Sequence, residues 1–216
     1  MSQIFPRSAN ALARASVFVA LFMAAAAGYA LWTLANSGYV TRQGIVHPQP
    51  VPFSHDHHVA QIGIDCRYCH TSVERAASAG IPPTQTCMNC HNQIWTNAAV
   101  LEPVRASWRD GKPLTWNRVN DLPDFVYFNH SIHVAKGVAC TTCHGPINKM
   151  PLMYQGTPLT MKWCLDCHRD PVPNLRPREE VTNVLWQPPA DLAAKQKEWA
   201  LANHVQSKVS CSNCHR

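Results

Sequence analysis

The sequence predicts a mostly irregular chain with short α-helices, built around something other than an ordinary hydrophobic core and preceded by one N-terminal transmembrane helix. Three observations carry this. Seventeen Pro against nine Gly in 216 residues work against long regular helices and large sheets. All ten Cys fall in one recurring pattern, Cys-x-x-Cys-His, which occurs five times. The stretch Ala15–Ala35 is almost wholly apolar, and no charge appears from Ala15 to Thr41.

The apolar stretch comes first in the chain. About twenty apolar residues cross a bilayer core, so residues 15–37 predict an anchor helix in the lipid bilayer. Arg7 and Arg14 precede it, which places residues 1–14 in the cytoplasm and sends the rest across. The expected location is therefore the inner (cytoplasmic) membrane, single-pass, with the remainder on the periplasmic side. Tyr29 and Trp32 suit the membrane interface. A cleaved signal peptide is the alternative, since Gly28-Tyr29-Ala30 is an acceptable small-x-small site. Residues 38–52 read as a linker, Pro-rich and extended from Gly44 to Pro52.

The cysteine pattern decides the middle of the molecule. It stands at Cys66-x-x-Cys69-His70, Cys87-x-x-Cys90-His91, Cys140-x-x-Cys143-His144, Cys164-x-x-Cys167-His168 and Cys211-x-x-Cys214-His215. Two thiols three residues apart can each add to one vinyl group of a haem, and the next residue then offers its imidazole to the iron. Zinc sites combine two Cys pairs without requiring a His after each one. Redox disulfides of this spacing occur singly, in a thioredoxin-like βαβ pattern absent here. The expected cofactors are thus five covalently bound haem c groups, and the fold class is a haem-cored multihaem cytochrome c. Their ten propionates take the net charge of +6 to about −4, or about +1 with every iron ferric. The surplus of Lys and Arg is then matched by propionates, and nucleic-acid binding drops out.

An internal repeat supplies the second axial ligands. Phe53-Ser54-His55-Asp56-His57-His58-Val59-Ala60 and Phe128-Asn129-His130-Ser131-Ile132-His133-Val134-Ala135 both read Phe-x-His-x-x-His-Val-Ala, and each leads into two haem motifs. Residues 53–91 and 128–168 are therefore two copies of a di-haem module, and repetition of this kind sets the architecture. A third, truncated copy lies in residues 169–216. There His204 aligns with His133, while Leu201 and Trp199 stand at the positions of His130 and Phe128. The repeat thus offers His55, His58, His130, His133 and His204 as distal ligands, one for each iron. Two His three residues apart share one face of a helical turn, so each should serve a different iron. Met161, Met150 and Met153 are rivals for one distal position. His47 and His57 lie outside the repeat.

Residues 92–127 separate the modules and carry Trp95, Trp108, Trp116, Phe125 and Tyr127 among Arg105, Arg109, Lys112 and Arg118. They read either as a docking surface or as aromatic packing against haem faces with Arg on propionates. Residues 169–189 hold five Pro and read as an irregular wrapping segment. Residues 190–206 read as a short helix with Leu192, Trp199, Ala202 and Val205 on one side, presenting His204.

The paired Phe-x-His-x-x-His modules, the run Gly80-Ile81-Pro82-Pro83-Thr84-Gln85-Thr86-Cys87-Met88 and the run Leu159-Thr160-Met161-Lys162-Trp163-Cys164 resemble the pentahaem subunit of alternative complex III, a bacterial quinol-oxidising assembly. The modules alone also resemble the broader class III multihaem cytochromes. The closer resemblance implies an electron-transfer subunit that is not itself an enzyme. Its implied partners are an integral-membrane quinol-binding subunit of polysulfide-reductase type, an iron–sulfur and molybdopterin-like subunit, and a monohaem cytochrome c or terminal oxidase. The alternative is a stand-alone anchored quinol dehydrogenase, which the long spacer between Cys90 and Cys140 fits poorly. Pentahaem nitrite reductases match in haem number but use one Cys-x-x-Cys-Lys, whereas all five proximal residues here are His.

Overall fold

The computed structural model describes residues 5–215, and the chain divides into two units between Arg42 and Gln43. The first unit is α1 (Ala9–Ala35) followed by the short α2 (Gly38–Thr41). None of the residues of α1 is buried, and it is long and apolar enough to cross a membrane. The helix starts six residues before the apolar stretch, because Ala, Leu and Arg propagate helix whatever their polarity. Arg14 therefore lies inside the helix rather than ahead of it. The Tyr29 and Trp32 rings stack with centroids 6.1 Å apart.

The second unit is irregular chain studded with short helices: α3 (Cys66–Cys69), α4 (Thr84–His91), α5 (Glu102–Asp110), α6 (His130–Ala135), α7 (Cys140–His144), α8 (Met161–Arg169) and α9 (Leu192–Ala202). Only isolated β-bridges join its extended segments among the described residues. Its buried apolar side chains are ten, among them Val51, Leu101, Val104, Met150, Leu175 and Val181. That is far too few to stabilise a unit of this length by burial alone, so the interior needs bulky non-protein groups.

The spacer between the modules builds an apolar cluster. Val51, Leu101 and Val104 pack with Cys87, Met88, Leu114 and Trp116, setting α5 against α4. Thr84 Oγ1 and Ser107 Oγ share a hydrogen bond of 2.6 Å across the same junction. Arg105 and Arg109 pair with Glu102, and Arg118 pairs with Asp121, so these cations are matched by the chain's own carboxylates. Trp95, Trp108, Phe125 and Tyr127 remain exposed. The connector after Arg42 is extended and seated: Gly44 N donates to Gln155 O at 2.9 Å, and Val46 bridges to Tyr154.

The C-terminal helix forms where expected and buries a different face. The buried residues of α9 are Gln196 and Ala200, while Leu192 and Trp199 are half-buried and Ala202 is exposed. The reason lies in the proline-rich segment opposite. Its kinked backbone leaves carbonyls without partners, and Gln196 Nε2 donates to Pro173 O at 2.8 Å and to Leu175 O at 3.1 Å. Hydrogen bonding therefore outweighs apolarity in choosing the inward face. Gln196→Leu is expected to destabilise the folded protein by about 1–3 kcal/mol, the cost of leaving buried carbonyls unpaired. A urea melt followed by circular dichroism measures it, and an unchanged midpoint would refute the assignment.

Candidate haem centres

Every Cys-x-x-Cys-His lies on a helical turn. Motifs one to four lie on α3, α4, α7 and α8, and the fifth on a 3₁₀ turn at Cys211–Asn213. One turn brings both thiols to the same side with the His just beyond, as in the 2.9 Å bond from His70 N to Cys66 O and the 2.8 Å bond from His215 N to Cys211 O. None of the ten cysteines forms a disulfide. Among the described residues no three His, Cys, Asp or Glu side chains converge on one point.

The two Phe-x-His-x-x-His segments take the same pose. Phe53 lies 4.9 Å from His55 at 86° and 4.4 Å from His58 at 24°. Phe128 lies 4.7 Å from His130 at 89° and 4.6 Å from His133 at 27°. The first copy achieves this in a wide turn, with Ile62 N reaching back to His57 O, and the second in α6. In each, the phenyl ring wedges between two imidazoles and sends them in different directions.

Those imidazoles meet the His of the motifs. Ring centroids are 6.3 Å apart for His58 and His91, 6.2 Å for His130 and His144, and 5.9 Å for His133 and His168. Two imidazoles on opposite faces of one metal, each at a metal–nitrogen bond of about 2.0 Å, place their ring centres about 6 Å apart. The residues present therefore fit a six-coordinate iron between each pair. His55 completes the pattern toward His70. Burial takes its pKa down to about 4, with the neighbouring His70 adding to the fall. Burial does the same to His144, with His130 and then His70 adding to it, again to about 4. Burial also lowers His58 and His133. Neutral imidazoles keep a nitrogen lone pair free for a metal.

Backbone carbonyls then choose which nitrogen that is. His70 Nδ1 donates to Gly80 O at 2.7 Å, His91 to Ile94 O at 3.2 Å, His168 to Lys208 O at 3.1 Å and His215 to Phe125 O at 3.2 Å. His58 Nδ1 donates to Ser54 O at 2.8 Å, His133 to Asn129 O at 2.8 Å and His130 to Ala77 O at 2.7 Å. A carbonyl can only accept, so in all seven the proton sits on Nδ1 and Nε2 is left as the ligand, oriented as metal-bound His is in other proteins. Motif spacing does not reveal these carbonyls, since some lie 40 to 90 residues away. His55 Nδ1 is buried and without a hydrogen-bond partner.

The remaining candidates sit differently. His204 has a positive φ of 50°, is exposed, and faces no other imidazole among the described residues. The third copy therefore departs from the pose of the other two. Met150 is wholly enclosed by protein, with its Cε near Gly145. An axial ligand must open onto the space a porphyrin fills, so Met150 acts as packing. Met161 is exposed and Met153 half-buried. His57 stacks on Trp95 at 5.9 Å, meets the His58 ring edge-on at 5.4 Å and bonds Gln61 Oε1, and His47 is half-buried in the connector.

A family model described as cytochrome c7 and related cytochrome c matches residues 126–216, which take in the second module and the fifth motif. The multihaem cytochrome c subunit of a menaquinone reductase from Nitratidesulfovibrio vulgaris (Hildenborough) is 31% identical over 131 residues, 60% of this chain and 58% of that protein. The chain thus matches less than two thirds of that relative's length. The findings support a multihaem c-type cytochrome, helical in its short elements and carrying covalently bound haem c.

Proposed function

We propose that the chain is a membrane-anchored pentahaem c-type cytochrome that relays electrons from a quinol-oxidising membrane partner to a monohaem cytochrome c or a terminal oxidase, as a subunit of alternative complex III. The observation that carries the reading is the set of imidazole pairs with centroids 5.9–6.3 Å apart. Irons held on both faces have no open position for a substrate, which suits a relay and not a reductase. Haem supplies the one-electron chemistry at iron.

The chain supplies attachment, ligation and exclusion. Each Cys pair tethers one porphyrin edge. His70, His91, His144, His168 and His215 are the proximal ligands, fixed by the carbonyls named above where those are present. His58, His130 and His133 are the distal ligands of the second, third and fourth centres, and His55 that of the first by the repeat. His204 is the distal candidate for the fifth. Phe53 and Phe128 hold the distal rings apart so that neighbouring irons do not compete for them.

Residues 15–37 anchor the chain, with the N-terminus cytoplasmic and the haem unit on the extracytoplasmic side. The relative is a subunit of a menaquinone reductase, which supports a membrane partner that binds quinone. The sequence resemblance makes that partner a subunit of polysulfide-reductase type beside an iron–sulfur and molybdopterin-like subunit. The test is quinol-driven reduction followed at the haem α-band, in the chain purified alone and in the chain left among its co-purifying subunits. Fast reduction confined to the complex, with low-spin bis-His signals dominating the EPR spectrum, is the expected result. Fast reduction of the isolated chain would place quinol oxidation in it and overturn the relay.

A further inference from the structure

We propose that the five centres form one unbranched path in the spatial order second, first, third, fourth, fifth, and that Val181–Thr182 is the seat joining the two modules at the first-to-third step. The inference rests on the relay reading and adds the order and the two ends. Each step moves a single electron from one iron to the next, with no bond made or broken. The electrons enter one at a time from the quinol-oxidising partner.

Four contacts, none between motifs consecutive across the spacer, set the order. Motif two touches motif one through Asn89 Nδ2, which donates to Tyr68 OH at 3.1 Å. The other side of α4 is covered by α5 of the spacer, which makes motif two an end. Motif one meets motif three on successive residues of the wrapping segment: Cys66 Sγ lies 3.8 Å from Thr182 O, and Cys140 N donates to Val181 O at 3.2 Å. Thr182 Oγ1 donates to Asp65 Oδ2 at 2.8 Å, beside Cys66, and tightens the seat. Here the modules also interlock, since Ala77 O of the first takes both N and Nδ1 of His130 in the second.

Motifs three and four share one turn of α6, whose His130 and His133 face His144 and His168. Motif four meets the run into motif five through His168, which exchanges hydrogen bonds with Lys208 at 3.1 and 3.4 Å.

An order of this kind predicts how many neighbours each centre has. His58→Met marks the second centre and His133→Met the fourth, because methionine ligation raises the potential and makes the marked iron reduce first. The full-length holoprotein in detergent is poised so that only the marked iron is reduced, and the EPR spectrum is compared with the fully oxidised one. With His58→Met, spin–spin broadening should vanish from one other ferric signal. With His133→Met, it should vanish from two. Two neighbours for the second centre, or one for the fourth, would overturn the order. Thr182→Val should weaken the coupling between the first and third centres while the haem content stays intact. If that variant fails to assemble, the ligand variants still decide the order. A wild-type protein without five low-spin signals would instead refute the relay reading itself.

Discussion

Replacing His130 by alanine is expected to turn one iron in five from low-spin to high-spin and to let the reduced protein bind one equivalent of carbon monoxide per chain. The His130 ring lies parallel to that of His144, 2° between planes and 6.2 Å between centroids, and Ala77 O holds its Nδ1 at 2.7 Å. Neither Met150, which is enclosed, nor His133, which already faces His168, can take its place. The other four irons should keep their spectra, because Phe128 separates His130 from His133 and the substitution leaves that wedge in place. The carbon monoxide difference spectrum measures the result. No binding would mean that His130 is not a ligand, and two equivalents would mean that it helps hold a second iron. His47→Ala, in the connector, is the matching control and should bind none.

A second large effect is expected from Gly137→Ala, and the internal repeat provides its comparison. Gly137 has φ +86°, and a β-carbon there would lie 2.4 Å from Arg176 O. The close approach has a cause: Arg176 N donates to Gly137 O at 2.9 Å and Val138 bridges to Leu175, so the wrapping segment is clipped onto the turn between His133 and Cys140. Gly63 holds the equivalent place in the first module, with φ +79° and open space around it. Gly63→Ala should therefore cost only backbone strain, about 1–2 kcal/mol. Gly137→Ala adds a backbone clash and should cost about 3 kcal/mol or more, enough to lower the yield of holoprotein. Thermal melts followed at the Soret band compare the two variants. Equal shifts would show that the clip contributes nothing beyond the turn.

Both expectations draw on features of different legibility. The haem motifs are legible because covalent attachment is a local demand: two thiols one turn apart and an imidazole next to them can be read from five consecutive residues. The apolar helix is legible because a bilayer asks only for length and apolarity. The distal candidates in the first two modules are legible through repetition. His204 shows the limit of that argument, since alignment identifies the residue but a positive φ and an exposed ring give it a pose unlike that of His133.

Sequence by itself therefore determined the chemistry proposed for this protein: which residues are offered for haem attachment, which are offered as second ligands, that a helix apolar and long enough to cross a membrane precedes them, and that an ordinary core is missing. Only the tertiary structure decided how those groups combine. It paired His58 with His91, His130 with His144 and His133 with His168, it used carbonyls as distant as Ala77, Lys208 and Phe125 to choose the ligating nitrogen, and it brought Cys66 and Cys140 onto one seat at Val181–Thr182. It also turned α9 to bury Gln196 rather than its apolar stripe. The physical reason is range. Attachment and membrane insertion are satisfied within a turn or a single helix, whereas ligand pairing and carbonyl satisfaction depend on backbone groups far away in the chain that no local pattern records.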